Sequence, residues 1–172
     1  AGADVVEANY SCPNVCSAEG QVYMDVELAG AVTKAVRSGI GGVSLLLKIG
    51  VFPDLDLQRA FLRAVADAAD GITLVNGISR EVLHADGRPV FGENYVKAGV
   101  LGRIIHEPCV AALGEARTAI EEENLDLALV AVGGVSSVAD YQDFTVAGAD
   151  AVLCGSSPMY LPDLAAEIKA SL

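Results

Sequence analysis

The chain has 172 residues, a formal net charge of −12, 52% hydrophobic residues and 20% charged ones. That is enough chain for one domain with a sizeable core, and too apolar a chain to stay disordered. The acidic balance argues against nucleic acid and anionic membranes as partners, since both are met through Lys and Arg, and no apolar run reaches the roughly 18 residues of a membrane span.

Strand and helix signals alternate along the whole sequence. Residues 3–8 read as a short strand that feeds a polar, proline-containing loop over 9–20. Asp25 is placed to cap a helix running to about Arg37, where Ser38-Gly39 stops it. Residues 43–49 (VSLLLKI) form a continuous apolar run with one lysine near its end, the pattern of a strand buried on both faces. Asp54 caps a second helix, with Leu57, Ala60, Phe61, Ala64, Val65 and Ala68 on one face at helical spacing. Residues 72–75 (ITLV) are the next strand, ending at Asn76-Gly77. The stretch 78–103 is glycine-rich with weak periodicity, and 108–122 reads as a helix. Residues 127–132 are a strand ending in Gly133-Gly134, Ser136 caps a helix to Val146, 151–154 is the last strand, and 158–172 a closing helix.

The result is five strands, each followed by a helix: a parallel α/β fold with right-handed crossovers in a single domain over 1–172, with no linker and no exact repeat. Four cysteines, Cys12, Cys16, Cys109 and Cys154, include no CxxC pair, and the two histidines, His84 and His106, complete no zinc cluster. The expectation is a reduced, cytoplasmic protein with no metal site.

The unusual residues come straight after the strands. Asn9 and Cys12 follow the first, Lys48 closes the second, Asn76 the third, Gly133-Gly134 the fourth and Gly155-Ser156 the fifth. In parallel α/β folds these ends share the face that carries the active site. The last two units suit a phosphate, because glycine lets backbone approach an anion and the following helix offers free N–H groups; tight turns alone would also use glycine there. Lys48 reads either as a contact to a cofactor ring or substrate, or as a side chain snorkelling from a strand end. Cys12 reads either as a proton acceptor or as a small buried thiol. Cys16, Cys109 and Cys154 read as structural, His84 as a surface residue, and neither histidine as catalytic.

These same residues carry a family resemblance. Asn9-Tyr10-Ser11-Cys12-Pro13-Asn14 resembles the Asn-x-Ser-Cys-Pro-Asn signature of class 1 dihydroorotate dehydrogenases and of the related domain in dihydropyrimidine dehydrogenases. Leu47-Lys48, Val75-Asn76, 98–102 (AGVLG), 132–135 (VGGV) and the run 147–156 ending in Gly155-Ser156 resemble the family's later motifs, in order. The resemblance implies a (β/α) TIM-barrel, here a partial barrel of about five parallel βα units from its C-terminal part, and FMN as cofactor. It implies oxidation of dihydroorotate to orotate in pyrimidine biosynthesis, with Cys12 as the base that takes the C5 proton while hydride leaves C6 for the flavin. Asn9, Asn14 and Asn76 would hold the pyrimidine substrate, Lys48 the flavin ring, and Gly102, Gly133, Gly134, Gly155 and Ser156 the flavin and its phosphate. A cysteine base implies the soluble class.

Three departures stand out. Gly77 occupies the place of a family Ser or Thr, and Ala98 and Leu101 alter the family's glycine loop. The chain also aligns from what would be the fourth barrel strand, so the first three βα units are expected from elsewhere: a homo-oligomer or another chain supplying the missing half. The alternatives are a non-catalytic half-barrel that completes a barrel with a partner, and a relative acting on another cyclic amide.

Overall fold

A computed structural model of the chain describes residues 2–11, 21–75 and 77–172. Its strands are β1 Val5–Asn9, β2 Ser44–Ile49, β3 Gly71–Leu74, β4 Ile78–Glu81, β5 Lys97–Val100, β6 Ala128–Val132 and β7 Ala151–Leu153. Its α-helices are α1 Val26–Ile40, α2 Leu55–Val65, α3 His106–Glu122, α4 Val138–Val146 and α5 Leu164–Ala170.

Five strands form one parallel sheet in the order β1-β2-β3-β6-β7. Spatial order follows chain order throughout. A doubly wound sheet reverses its order at a switch point, and this one never does, which is the winding of a barrel wall. β1 and β7 lie at its two edges.

Alternation along the strands separates two faces. Leu45, Leu47, Ile49, Ile72, Leu74, Leu129 and Ala131 are at most 1% exposed and pack in one core with Phe61, Leu62 and Val65 of α2, Leu113 and Ala116 of α3 and Phe144 of α4. Each buried Leu, Ile, Val or Phe among them contributes about 1.5–3 kcal/mol by burial. The other set of positions forms the opposite, inner face. There Val5, Glu7 and Asn9 of β1, Ser44 of β2, Ala128 of β6 and Ala151 and Leu153 of β7 are exposed. The helices therefore cover one side of the sheet.

Local chemistry explains the helix starts. The Asp25 carboxylate accepts from Leu28 N at 3.0 Å and that of Asp54 from Leu57 N at 2.8 Å, each satisfying an otherwise unpaired first-turn donor. The sequence expectation for α4 is displaced by one residue. Ser137, not Ser136, is the cap and accepts from Asp140 N, while Ser136 donates to the Asp140 carboxylate through both N and Oγ at 2.8 Å.

Two further expectations are corrected. Residues 78–103 are not wholly irregular: β4 and β5 pair antiparallel, Ile78 opposite Val100. The closing helix is also shorter. A 3₁₀ turn over Ser157–Met159 precedes α5, because Pro162 has no N–H to continue a helix begun at Pro158.

The end of the sheet away from the strand C-termini holds a repeated clamp. Asp70, just before β3, accepts from Leu45 N at 2.6 Å and pairs with Arg37 of α1. Asp150, just before β7, accepts from Leu129 N at 2.7 Å and pairs with Arg117 of α3. In both cases a helix arginine is joined to the neighbouring strand through the aspartate that opens the next one.

Candidate functional site at the strand ends

Parallel register brings the candidate residues level with one another. Asn9 of β1 lies opposite Lys48 of β2, Lys48 opposite Thr73 of β3, and Thr73 opposite Val130 of β6. Adjacent strands are roughly 4.8 Å apart, so Asn9, Lys48 and Thr73 make one row on the inner face. Glu7 stands one step below. Its Oε2 accepts from Thr73 Oγ1 at 2.6 Å, reaching across β2. The sequence reading missed Glu7 and Thr73. Both sit in short strand segments where a period of two would have placed them beside Lys48 and Asn9.

The loop after β1 is pinned at both ends. Tyr10 is buried, its N–H donates to Lys48 O at 2.8 Å, and its hydroxyl meets Thr33 Oγ1 at 2.9 Å. On the returning side Tyr23 is buried against Phe52, and its hydroxyl donates to Val51 O at 3.2 Å. Gly50 is required there, since a Cβ would lie 2.6 Å from the Tyr23 hydroxyl. Asn9 Oδ1 accepts from Ser11 N at 3.2 Å, so this carboxamide starts the loop turn as well as facing the inner surface. Cys12, Asn14, Cys16 and Asn76 lie outside the described residues.

Three loops converge at the other end of the sheet. A Cβ on Gly134 would lie 2.7 Å from Gly102 O and 3.0 Å from Arg103 Cα; one on Gly102 would lie 3.8 Å from Ser156 Oγ. Gly102, Gly134 and Ser156 are thus brought together. Gly133 and Gly134 have positive φ, 152° and 69°, and a Cβ on Gly133 would strike Cys109 Sγ at 2.5 Å. Packing within the protein already demands glycine at both places. Gly155 differs: a Cβ there would meet nothing within 4 Å, so space stands open beside it.

The electrostatics of this corner are mixed. The α4 N-terminus already holds a carboxylate of its own, since Asp140 accepts from Ser136. Burial pushes the Asp140 acid up, but the Ser136 and Ser137 hydrogen bonds and the Arg103 charge outweigh it and hold it below the usual value. Arg103 pairs with Asp140 at 3.2 Å and is about half exposed. His106 is 1% exposed, with Nδ1 3.1 Å from Gly133 O and Nε2 3.0 Å from Asp143 Oδ2. His84 is exposed. Cys109 is buried, with a thiol pushed up to about 11 by desolvation, in keeping with a structural role. Cys154 is half-buried.

The groups that would meet a flavin nucleotide are Lys48 and Asn9 on the inner face and Gly155, beside open space, with Ser156 and Gly102 next to it; Arg103 is already paired with Asp140. A singly wound parallel sheet with polar groups at the strand C-termini defines the class: a barrel-type α/β protein, a class that carries its ligand sites on that face.

Comparison with known proteins narrows the class to a family. A model of the dihydroorotate dehydrogenase family matches residues 1–172. The chain is 32% identical over 171 residues to a dihydroorotate dehydrogenase of Dictyostelium discoideum, covering 96% of this chain and 46% of that protein. It is 31% identical over 173 residues to a dihydroorotate dehydrogenase A (fumarate) of Lacticaseibacillus paracasei, covering 96% and 55%. Among solved structures, DHODH from Eimeria tenella in complex with ferulenol superposes with a TM-score of 0.77 at 18% identity, over 99% of this chain and 49% of that one. The chain belongs to the dihydroorotate dehydrogenase family. It spans about half the length of the curated relatives it matches. No helix among the described residues is long and apolar enough to cross a membrane.

Proposed function

We propose that this chain, as one domain over 1–172, carries the flavin- and substrate-facing wall of an FMN-dependent dihydroorotate dehydrogenase that oxidises dihydroorotate to orotate. The observation that carries the reading is the row Asn9–Lys48–Thr73 on the inner face, with Gly134 and Gly155 following on the loops beyond the C-terminal ends of the neighbouring strands β6 and β7. Bound FMN supplies the acceptor for the hydride that leaves C6 of the substrate. Lys48 holds a positive charge against the ring. Gly155, Ser156 and Gly102 hold the phosphate end, with Gly133 and Gly134 shaping their loop. Asn9, Asn14 and Asn76 hold the pyrimidine ring, and Cys12 takes the C5 proton.

The test is anaerobic addition of dihydroorotate to the FMN-loaded chain. Loss of the visible flavin band is expected, with the rate falling at least 100-fold in Cys12→Ala, since general acid–base catalysis is worth roughly 10²–10⁴. An unbleached flavin, or a Cys12→Ala variant as fast as wild type, contradicts the reading.

A second reading is that the working body is an assembly in which another segment or chain covers the inner face. Both edge strands favour it. Val5 of β1 is 51% exposed and Leu153 of β7 45% exposed, and five strands do not close an eight-stranded barrel. The cavities of about 260 and 340 Å³ lie elsewhere, one between α2 and α3 and one beside β4 and β5. Light scattering distinguishes the two: a monomer that turns over supports the first reading, and activity confined to an assembly supports the second.

A further inference from the structure

His106 occupies an unusual position. It is the first residue of α3, buried, and both ring nitrogens face oxygen. Nδ1 is 3.1 Å from Gly133 O, and Nε2 is 3.0 Å from Asp143 Oδ2 and 3.7 Å from Asp140 Oδ1. The ring stands edge-on to Phe144, centroids 5.1 Å apart. A carbonyl oxygen can only accept, so the contact to Gly133 is a bond only if Nδ1 carries a proton and donates it. Asp140 and Asp143 of α4 face Nε2, Arg103 reaches Asp140 from the turn before α3, and Cys109 packs on Gly133 from the next turn.

The carbonyl held in this way belongs to the first glycine of the pair that shapes the cofactor corner. Gly134, the second, has no room to move toward α3: a Cβ there would lie 3.1 Å from His106 Cβ and 2.7 Å from Gly102 O. One side chain therefore fixes the backbone between β6 and α4 against the loop at Gly102.

We propose that His106 is the positioning residue of the Gly133–Gly134 loop: Nδ1–H holds the Gly133 carbonyl, and Nε2–H donates to Asp143, with Asp140 behind it, so both facing oxygens accept from the ring. This rests on the reading that the loop serves the flavin nucleotide. Orientation of an imidazole by a carboxylate on its far nitrogen is a general device.

The experiment compares His106→Leu, His106→Asn and His106→Gln in the full chain. The Asn amide nitrogen takes the place of Nδ1 and keeps the bond to Gly133. The Gln amide takes the place of Nε2 and faces Asp143, and Leu keeps the volume with no donor. The dissociation constant for FMN, read by quenching of flavin fluorescence, is expected to rise at least tenfold in the Leu and Gln variants. It should stay within about threefold of wild type in the Asn variant. Equal weakening in Asn and Gln, or unaltered affinity in Gln, overturns the proposal; this pair carries the test if the Leu variant does not fold. A separate readout needs no flavin. In the long-range imidazole ¹H–¹⁵N spectrum of the wild-type chain, His106 is expected to carry a proton on Nδ1. A proton on Nε2 alone overturns the proposal. Failure of FMN to bind the wild-type chain, with Nδ1 protonated, instead counts against the flavin reading of the loop.

Discussion

Lys48 is the central residue of the inner-face row. It is half-buried among strand neighbours, level with Asn9 on one side and Thr73 on the other. Replacing it with Met keeps most of its apolar stem and removes the charge. Lys48→Met is expected to weaken FMN binding about tenfold while the melting temperature of the free chain moves by no more than a few degrees; calorimetry and fluorescence titration check the two halves. Thr73→Val removes the donor to Glu7 and is expected to cost about 1 kcal/mol of stability in urea unfolding. Gly134→Ala is a harsher change, because φ is 69° and the added Cβ meets backbone at 2.7 Å. It is expected to lower stability by more than 2 kcal/mol on the same assay, through strain and overpacking. Most of these effects could not be read from sequence. Lys48 announced itself as a charge in an apolar run. The partners of His106, by contrast, lie 27 to 37 residues away on other elements, and no local pattern joins them.

At the scale of elements, the two aspartate clamps tie helices to strands at the end of the sheet away from the strand C-termini. The Leu45 N–H, aided by Arg37, holds the Asp70 acid below the ordinary value of 3.8. At Asp150, burial pushes upward, and the Leu129 N–H and Arg117 outweigh it, with the same net direction from 3.8. A carboxylate whose folded value is depressed adds stability above its unfolded value, and that contribution is lost as pH falls through the folded value. The advantage of wild type over the Asp70→Asn/Asp150→Asn double variant in urea midpoint is therefore expected at pH 7 and should shrink below about pH 4. A gap that persists undiminished at pH 2 contradicts this. The elements themselves were legible where physics is local. Apolar runs gave β2, β3 and β6, and Asp25 and Asp54 marked helix starts. The β4–β5 hairpin was not legible, because Ile-Ser-Arg-Glu and Lys-Ala-Gly-Val alternate too weakly to signal strands. Ser136 and Ser137 are both able caps, and only the tertiary demand of Asp140 on Ser136 decides between them.

At the scale of the molecule, the sheet winds in one direction, the helices cover one face, and the other face presents Asn9, Glu7, Lys48 and the strand-end loops. The parallel sheet was legible from alternating apolar runs followed by helices, and the barrel winding through the family resemblance. The family was legible through the resemblance of residues 9–14 and the later motifs, and the family match over residues 1–172 agrees with it. The central claim is that this wall of the barrel holds a flavin. The most direct measurement is a visible absorption titration of the purified full chain with FMN, followed by gel filtration to remove unbound cofactor. The account predicts a retained flavin spectrum near one FMN per chain, diminished in Lys48→Met. A folded chain that emerges colourless, at FMN concentrations well above the micromolar range, would contradict it.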